Sequence, residues 1–339
     1  MRRSCHVTVR LRDYAAAKTA MQPISRYLFP GLMAVFAVVC LYEVRGDLAL
    51  ISLAPLVRSW DLVALAALCS LLNYAFRIVR WQRYLARLGS SLPLGFVSLT
   101  YVAGFAFTVS PGKVGEMARA RYYSRLGICV PNVAGAFFVE RLMDVMAMLV
   151  LAALLATAAP RYHAAMWSAG VMMIVVLILL AVTPWEGIAR WIETARRLPP
   201  ALTRLGVGVT RALVAARTLL SPTALVCGFL LGLAAWGLEG VGFYLLGSMF
   251  PAMHLTVTVG TGIYAVAVLV GAISFLPGGL GSTEAVMTAL LASQGFAVAN
   301  ALLVTIVCRI VTLWLAVLMG WAAVWALRQR LAPAVPSWQ

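Results

Sequence analysis

Long apolar stretches alternate with short, arginine-rich connections along most of this chain. A helix that crosses a membrane needs about 20 predominantly apolar residues. Stretches that approach or exceed this length lie near residues 28–45, 62–79, 94–110, 131–158, 165–183, 222–247, 256–276 and 298–327. The pattern predicts an all-α polytopic membrane protein, for which eight full spans is the simplest count.

Two short glycine-rich segments, called here the PG segments, interrupt this pattern and resemble each other. The first reads PGKVGE (111–116) and the second reads PGGLGSTE (277–284). Proline and glycine break a helix, and the backbone groups that they free must be buried in protein or face water. The residues that we expect to form the two bends are Pro111, Gly112, Gly115, Pro277, Gly278, Gly279 and Gly281.

The distribution of basic residues favours a topology with fewer than eight spans. Cytoplasmic connections carry an excess of arginine and lysine, which places the basic arm 1–27 and the arginines of 77–87 in the cytoplasm. A full crossing by 94–110 would leave four basic residues outside, whereas a re-entrant hairpin keeps them inside. These residues are Lys113, Arg119, Arg121 and Arg125. We therefore predict six spanning helices and two re-entrant helical hairpins that enter from opposite faces.

This topology predicts one transmembrane domain, residues 28–327, made of two inverted repeats. The first repeat covers about 62–183 and the second about 222–327, and a short tail follows at 328–339. Apolar and arginine positions alternate with helical spacing in 184–220, which predicts amphipathic helices on the cytoplasmic surface. An ordinary basic loop is the alternative for this segment. Both termini are expected in the cytoplasm.

Composition supports the membrane assignment and excludes several other classes of protein. Hydrophobic residues make up 63% of the chain and charged residues 11%, against about 25% charged residues in an average soluble domain. The net charge of +16 comes from arginines at the ends of apolar stretches, so it indicates topology and not nucleic-acid binding. The cysteines and histidines are scattered, and no GxxxxGK[ST] loop is present. We expect no metal, no cofactor and no nucleotide hydrolysis, with membrane lipids as partners.

Two arginines lie deep within apolar stretches. Each follows a PG-segment glutamate by 25 residues, Arg141 after Glu116 and Arg309 after Glu284. An unpaired arginine at the centre of a membrane helix costs about 2.5–3.5 kcal/mol on insertion scales. We predict the pairs Arg141–Glu116 and Arg309–Glu284, within each repeat or exchanged between repeats, and a further i, i+3 pair between Arg141 and Asp144. They could line a translocation path or only hold helices together.

Other charged residues are candidates for binding a headgroup. Lys113 adds a cation to the first PG segment only, and helices that restart at Glu116 and Ser282 would direct their N-termini at an anion. Arg77 and Arg80, one turn apart, could bind lipid phosphates or simply anchor their helix at the interface.

The remaining carboxylates do not suggest catalysis. Glu239 stands alone in 222–247 and either binds a cation or proton, or completes a charge network around Arg309. Glu140 and Asp144 flank Arg141, which favours ionised carboxylates over acid catalysis. No catalytic residue is predicted.

Five segments together resemble the lysylphosphatidylglycerol synthase transmembrane family, which is flippase-like. They are RIVRWQRYL (77–85), SPGKVGE (110–116), ERLMD (140–144), FLPGGLGSTE (275–284) and CRIVTLW (308–314). The resemblance extends over about residues 30–328 and implies a bacterial inner-membrane protein that moves a phospholipid, aminoacyl-lipid or glycolipid between leaflets. Larger members carry a soluble synthase domain, which is not expected here, so aminoacyl transfer is not implied. Two alternatives stay open: a non-catalytic partner of a lipid-synthesis enzyme, and a membrane-embedded transferase that acts on lipid-linked sugars.

Overall fold

The computed structural model describes residues 52–156, 163–194 and 199–331, all of which belong to one compact unit. Every regular element within these ranges is helical, as predicted. The predicted cytoplasmic arm 1–27, the predicted first span 28–45 and most of the predicted tail lie outside the described residues.

The helices of the first half surround the first PG segment. They are α1 (Ala54–Arg58), α2 (Trp60–Arg87), α3 (Leu94–Phe105), a 3₁₀-helix (Pro111–Arg119), α4 (Ala120–Ser124), α5 (Val130–Ala156) and α6 (His163–Val182). Two helices then occupy the segment predicted to be amphipathic, α7 (Trp185–Thr194) and α8 (Pro200–Thr218).

The helices of the second half surround the second PG segment. They are α9 (Pro222–Gly247), α10 (Val257–Ile273), a 3₁₀ turn (Pro277–Gly279), α11 (Ser282–Ser293), α12 (Val298–Arg309) and α13 (Leu315–Leu331). A π-helical turn, Ile310–Trp314, joins α12 to α13 directly after Arg309. Such turns within helices are frequently found at functional sites.

Three described helices are long and apolar enough to cross a membrane: α2, α9 and the continuous run Val298–Arg330. A fourth span is possible if Gly170–Val182 and Trp185–Thr194, which meet at a bend of 64°, form one broken crossing. Helix α5 has 27 residues, which is long enough, but three charged residues stand in its middle. Length and composition therefore support a membrane protein, and the count of six spans stays a prediction.

The helices that precede the PG segments are short. Helix α3 has 12 residues and α10 has 17, which correspond to about 18 and 26 Å, less than the roughly 30 Å hydrocarbon core. After each PG segment the chain turns back along the preceding helix. A Cβ atom added to Gly104 of α3 would lie 3.2 Å from the carbonyl oxygen of Glu116, and α11 packs against α10. Both helices are therefore shorter than a full crossing, and the choice between re-entrant hairpins and eight spans stays a prediction.

Close packing between helices brings the two halves together. Helix α9 packs along α2, and α10 packs against α5. Glycines allow these approaches: a Cβ atom on Gly240 of α9 would lie 2.5 Å from the Thr261 side chain of α10. Small residues are the usual means by which membrane helices approach closely. The packing encloses a buried polar region at the centre of the described unit.

Candidate functional site

A cluster of buried charges, called here the charge network, lies where α2, the first PG segment and α5 meet. Helix α2 contributes two arginines, the 3₁₀-helix contributes a glutamate and an arginine, and α5 contributes two carboxylates and an arginine. The members are Arg77, Arg80, Glu116, Arg119, Glu140, Arg141 and Asp144. Four arginines face three carboxylates, so the network carries a net charge of +1.

Glu140 is the centre of the network. Its side chain is fully buried, and four arginine side chains lie within 4 Å. The closest is Arg119, whose Nη2 atom lies 2.6 Å from Oε2, and the Tyr101 hydroxyl donates a hydrogen bond to Oε1. A buried carboxylate with this many cationic partners links α2, α5 and the first PG segment.

Arg119 is a member of the network that sequence analysis missed. We predicted it only as one of four basic residues that the first re-entrant hairpin keeps on the cytoplasmic side, and not as a site residue. Arg119 is fully buried and its guanidinium lies 3.6 Å from the centre of the Trp81 ring. The cause is the local helix type. Side chains three residues apart eclipse each other in a 3₁₀-helix, so Arg119 points to the same side as Glu116. The three-residue spacing of these charges was the available signal.

Both predicted pairs between a PG segment and a distant arginine are confirmed. Arg141 Nη2 lies 3.7 Å from Glu116 Oε2 and 3.2 Å from Asp144 Oδ2. Arg309 Nε lies 2.6 Å from Glu284 Oε1. Each arginine pairs with the glutamate of its own repeat, so the exchanged arrangement is not observed.

The two PG segments contact each other. A Cβ atom on Gly278 would lie 3.5 Å from the Cα atom of Val109, which directly precedes the first segment's Ser110-Pro111 turn. In the shared sequence pattern, Lys113 corresponds to Gly279, and both have a left-handed backbone, with φ of +56° and +66°. Glycine adopts this conformation freely, whereas lysine is strained in it. The first copy therefore keeps a lysine where the fold favours a glycine.

A central cavity of about 290 Å³ lies between the PG segments. The candidate residues on its wall are Arg77, Lys113, Arg141, Asp144, Glu239 and Arg309, together with Gly278 and Gly279 of the second PG segment. Sequence analysis thus selected residues from distant parts of the chain that the fold brings to one cavity. The other candidates, Arg80, Glu116, Glu140 and Glu284, are absent from its lining and support it from behind.

Several donors on this wall form no hydrogen bond within the described part of the chain. They are Nε and Nη2 of Arg77, Nε and Nη2 of Arg141, and Nε1 of Trp236. Both Nη2 atoms nevertheless belong to ion pairs of the charge network, the closest at 3.9 Å for Arg77 and 3.2 Å for Arg141. The Lys113 ammonium forms no ion pair with a described carboxylate and lies 5.3 Å from the centre of the Trp236 ring. Buried donors are normally paired, so this arrangement is suited to a negatively charged ligand.

Glu239 is the anionic group on the opposite part of the wall. The prediction that it completes a charge network around Arg309 is wrong, because Arg309 instead pairs with Glu284 and donates to the Gly278 carbonyl. Glu239 is buried in α9 and accepts a hydrogen bond of 3.1 Å from the Ser70 hydroxyl. Tyr264 also forms a side-chain hydrogen bond with this carboxylate. Neither neutral hydroxyl balances its negative charge, so this position can still receive a cation or a proton.

The two predicted helix restarts have different outcomes. The restart of an α-helix at Glu116 is wrong, because the 3₁₀-helix runs through Arg119 and α4 begins only at Ala120. An α-helix does begin at Ser282, as predicted. Glu284 accepts a hydrogen bond of 2.7 Å from the Gly281 amide, so a carboxylate already lies at this N-terminus. Arginine and lysine side chains contribute the charged groups of positive sign on the cavity wall.

A comparison with protein families connects this geometry to known proteins. The family model described as the lysylphosphatidylglycerol synthase TM region matches residues 30–320, which is most of the chain and includes both PG segments and the whole charge network. The curated proteins with which the sequence was compared gave no match. The match extends over all the helices that form the central cavity, and the chain therefore belongs to the family of the lysylphosphatidylglycerol synthase transmembrane region.

Proposed function

We propose that this protein translocates a membrane lipid with an anionic, phosphate-bearing headgroup, and that the central cavity holds the headgroup. The family supports a role connected with membrane lipids. The observation that carries the proposal is the set of cations on the cavity wall. Arg77 and Arg141 keep donors that form no hydrogen bond among the described residues, and Lys113 forms no ion pair with a described carboxylate. A phosphate accepts several charge-assisted hydrogen bonds and suits such donors.

The size of the cavity favours a headgroup over a whole lipid. Its volume of about 290 Å³ lies at the lower limit of small-molecule sites, which span roughly 300–1,000 Å³. The acyl chains would stay in the hydrocarbon region while the headgroup passes between the PG segments. Glu239, on the same wall, would accept an amine and so extend the range of cargo to zwitterionic or aminoacyl lipids.

The same geometry disfavours a transferase reaction at Glu140. A general base must reach the proton that it removes, yet Glu140 is fully buried and both its oxygens contact arginines. Asp144 lines the cavity but pairs with Arg80 at 2.6 Å and Arg141 at 3.2 Å. We propose that these carboxylates position arginines and do not act in catalysis.

Alternating access would follow if the PG hairpins enter a bacterial inner membrane from opposite faces. The prediction can be tested with single cysteines at Val114 and Ile273, whose side chains are exposed beside the first and second PG segment. In a background without native cysteines, we expect a membrane-impermeant maleimide to label Val114→Cys from the cytoplasmic side and Ile273→Cys from the opposite side. Labelling of both positions from one side would contradict the inverted hairpins.

The translocation proposal can be tested in proteoliposomes with tail-labelled fluorescent lipids, whose transbilayer movement is followed by quenching of the outer leaflet. We expect purified protein to accelerate movement of phosphatidylglycerol by at least about tenfold over protein-free vesicles, because one charge-assisted hydrogen bond to the phosphate contributes roughly that factor. Protein-free vesicles provide the baseline. Equal rates with and without protein for phosphatidylglycerol, lysyl-phosphatidylglycerol and phosphatidylcholine would overturn the proposal.

A further inference from the structure

A second pocket, called here the lateral pocket, lies between α2 and α9 and shares no lining residue with the central cavity. Its volume is about 420 Å³. Its walls are formed by Arg80, Arg83, Tyr84, Ala86 and Arg87 of α2 and by Ala224, Cys227, Gly228 and Leu231 of α9. Nothing in the function proposed above uses this pocket.

Two buried polar side chains on its wall have donors without partners among the described residues. Arg80 is 1% exposed and uses Nη2 for Asp144, which leaves its Nε and Nη1 atoms without a hydrogen bond. Tyr84 is 2% exposed, and its hydroxyl also has no partner. Because buried donors are rarely left unpaired, the pair indicates a missing acceptor.

Glycines of α9 leave room around these donors. A Cβ atom on Gly228 would lie 2.3 Å from the Tyr84 hydroxyl oxygen, and one on Gly232 would lie 2.7 Å from Arg80 Nη1. Any larger residue would displace the donors. Helix α9 therefore has no side chain at the two points where a donor of α2 that lacks a described hydrogen-bond partner contacts it.

The charge of the lateral pocket favours an anion. Arg83 and Arg87 are exposed at its rim, and Arg87 donates a hydrogen bond to the Ser221 hydroxyl. Three of the nine described lining residues are arginines and none of the nine is acidic. Besides Tyr84, the rest of the described wall consists of two alanines, a cysteine, a glycine and a leucine. Clustered arginines with a hydroxyl donor suit a phosphate group, and the apolar wall suits the alkyl part of an amphiphile.

We infer that the lateral pocket binds a phosphate group, carried by an anionic phospholipid, with Arg80 and Tyr84 as the buried ligands and Arg83 and Arg87 at the rim. A phosphate bound here would share Arg80 with Asp144 of the charge network. The site is a binding site separate from the translocation path, so its occupancy can be measured without any transport.

Cys227 provides a reporter inside the pocket, since its thiol is free and lies on the wall. The experiment measures the rate of Cys227 alkylation by N-ethylmaleimide in the full chain in detergent micelles, by peptide mass spectrometry. One arm adds phosphatidylglycerol, a second adds inorganic phosphate, and a third adds phosphatidylcholine. Cys129, a cysteine outside the pocket, serves as the internal control.

We expect phosphatidylglycerol to slow alkylation of Cys227 in a saturable manner and to leave Cys129 unchanged. If inorganic phosphate also slows alkylation of Cys227, the result would support the phosphate site and would show that a soluble phosphate can fill it. Tyr84→Phe removes only an unpartnered hydroxyl, so it should leave the melting temperature unchanged or raised and weaken protection roughly tenfold. The double variant Arg83→Gln/Arg87→Gln should weaken protection at least as much.

Two controls separate this site from other sources of lipid binding. Arg121→Gln/Arg125→Gln removes the same charge from exposed positions outside both cavities and should retain full protection. Lys113→Gly alters only the central cavity and should also retain it. Equal protection in wild type, Tyr84→Phe and Arg83→Gln/Arg87→Gln, or no protection by either phosphate source, would overturn the inference.

Discussion

Glu140→Gln is expected to lower the stability of the protein by about 3–5 kcal/mol, the cost of breaking a buried ion pair by removing one partner. Four arginines lie within 4 Å of this carboxylate. The amide keeps the shape of the side chain but removes the negative charge that offsets them. The change in free energy of unfolding can be measured by reversible denaturation in mixed micelles, or ranked by melting temperature.

A matched control is available on the surface. Glu193 pairs with Arg211 at 2.8 Å, but both side chains are more than 40% exposed. Surface pairs of this kind contribute about 0–1 kcal/mol, so Glu193→Gln should change stability little. If Glu140→Gln and Glu193→Gln had equal effects, Glu140 would not be the electrostatic centre of the fold.

Lys113→Gly is expected to abolish most translocation of an anionic lipid without destabilising the protein. The backbone of Lys113 is left-handed, with φ of +56°, and Gly279 of the second PG segment has the same conformation. A left-handed non-glycine residue costs roughly 1–2 kcal/mol, so glycine should stabilise this turn while it removes the ammonium group. Loss of function then reports on charge and not on folding.

Two further variants separate the effect of the lysine charge from the effect of backbone strain at position 113. Lys113→Asn removes the charge but tolerates the left-handed region, and Lys113→Arg keeps the charge and the strain. We expect transport to fall at least about tenfold in Lys113→Gly and Lys113→Asn, a loss equivalent to one charge-assisted hydrogen bond, and to persist in Lys113→Arg. A lower melting temperature in Lys113→Gly would show that the lysine has a structural role.

The predictions from sequence were most successful where a charged residue lies within an apolar segment. A buried arginine in an apolar helix requires a partner, and this requirement alone predicted Arg141–Glu116 and Arg309–Glu284. The helix breaks were predicted from the proline and glycine residues, because these residues interrupt a helix within an apolar segment. The free-energy costs of an unpaired charge and of a broken helix within a membrane segment are large and local, and they do not depend on the details of packing.

Predictions failed where the helix type or the direction of a side chain decides a contact. Arg119 was not predicted as a member of the charge network, because a 3₁₀-helix of nine residues, Pro111–Arg119, is not recognisable from α-helical periodicity. Arg77 and Arg80 lie one turn apart on α2, yet they line different pockets. One of the two interpretations of Glu239 placed it beside Arg309, but its hydrogen-bond partner Ser70 lies on α2, which the sequence alone did not place beside α9.

The most direct test of the account is the transbilayer rate of tail-labelled phosphatidylglycerol in proteoliposomes that contain equal amounts of wild-type or Lys113→Gly protein. If the central cavity acts on an anionic headgroup, the Lys113 ammonium on its wall contributes to movement of the lipid. The account predicts rapid movement with the wild type and a rate at least about tenfold lower with a fully folded Lys113→Gly protein. Equal rates for the two proteins would contradict it.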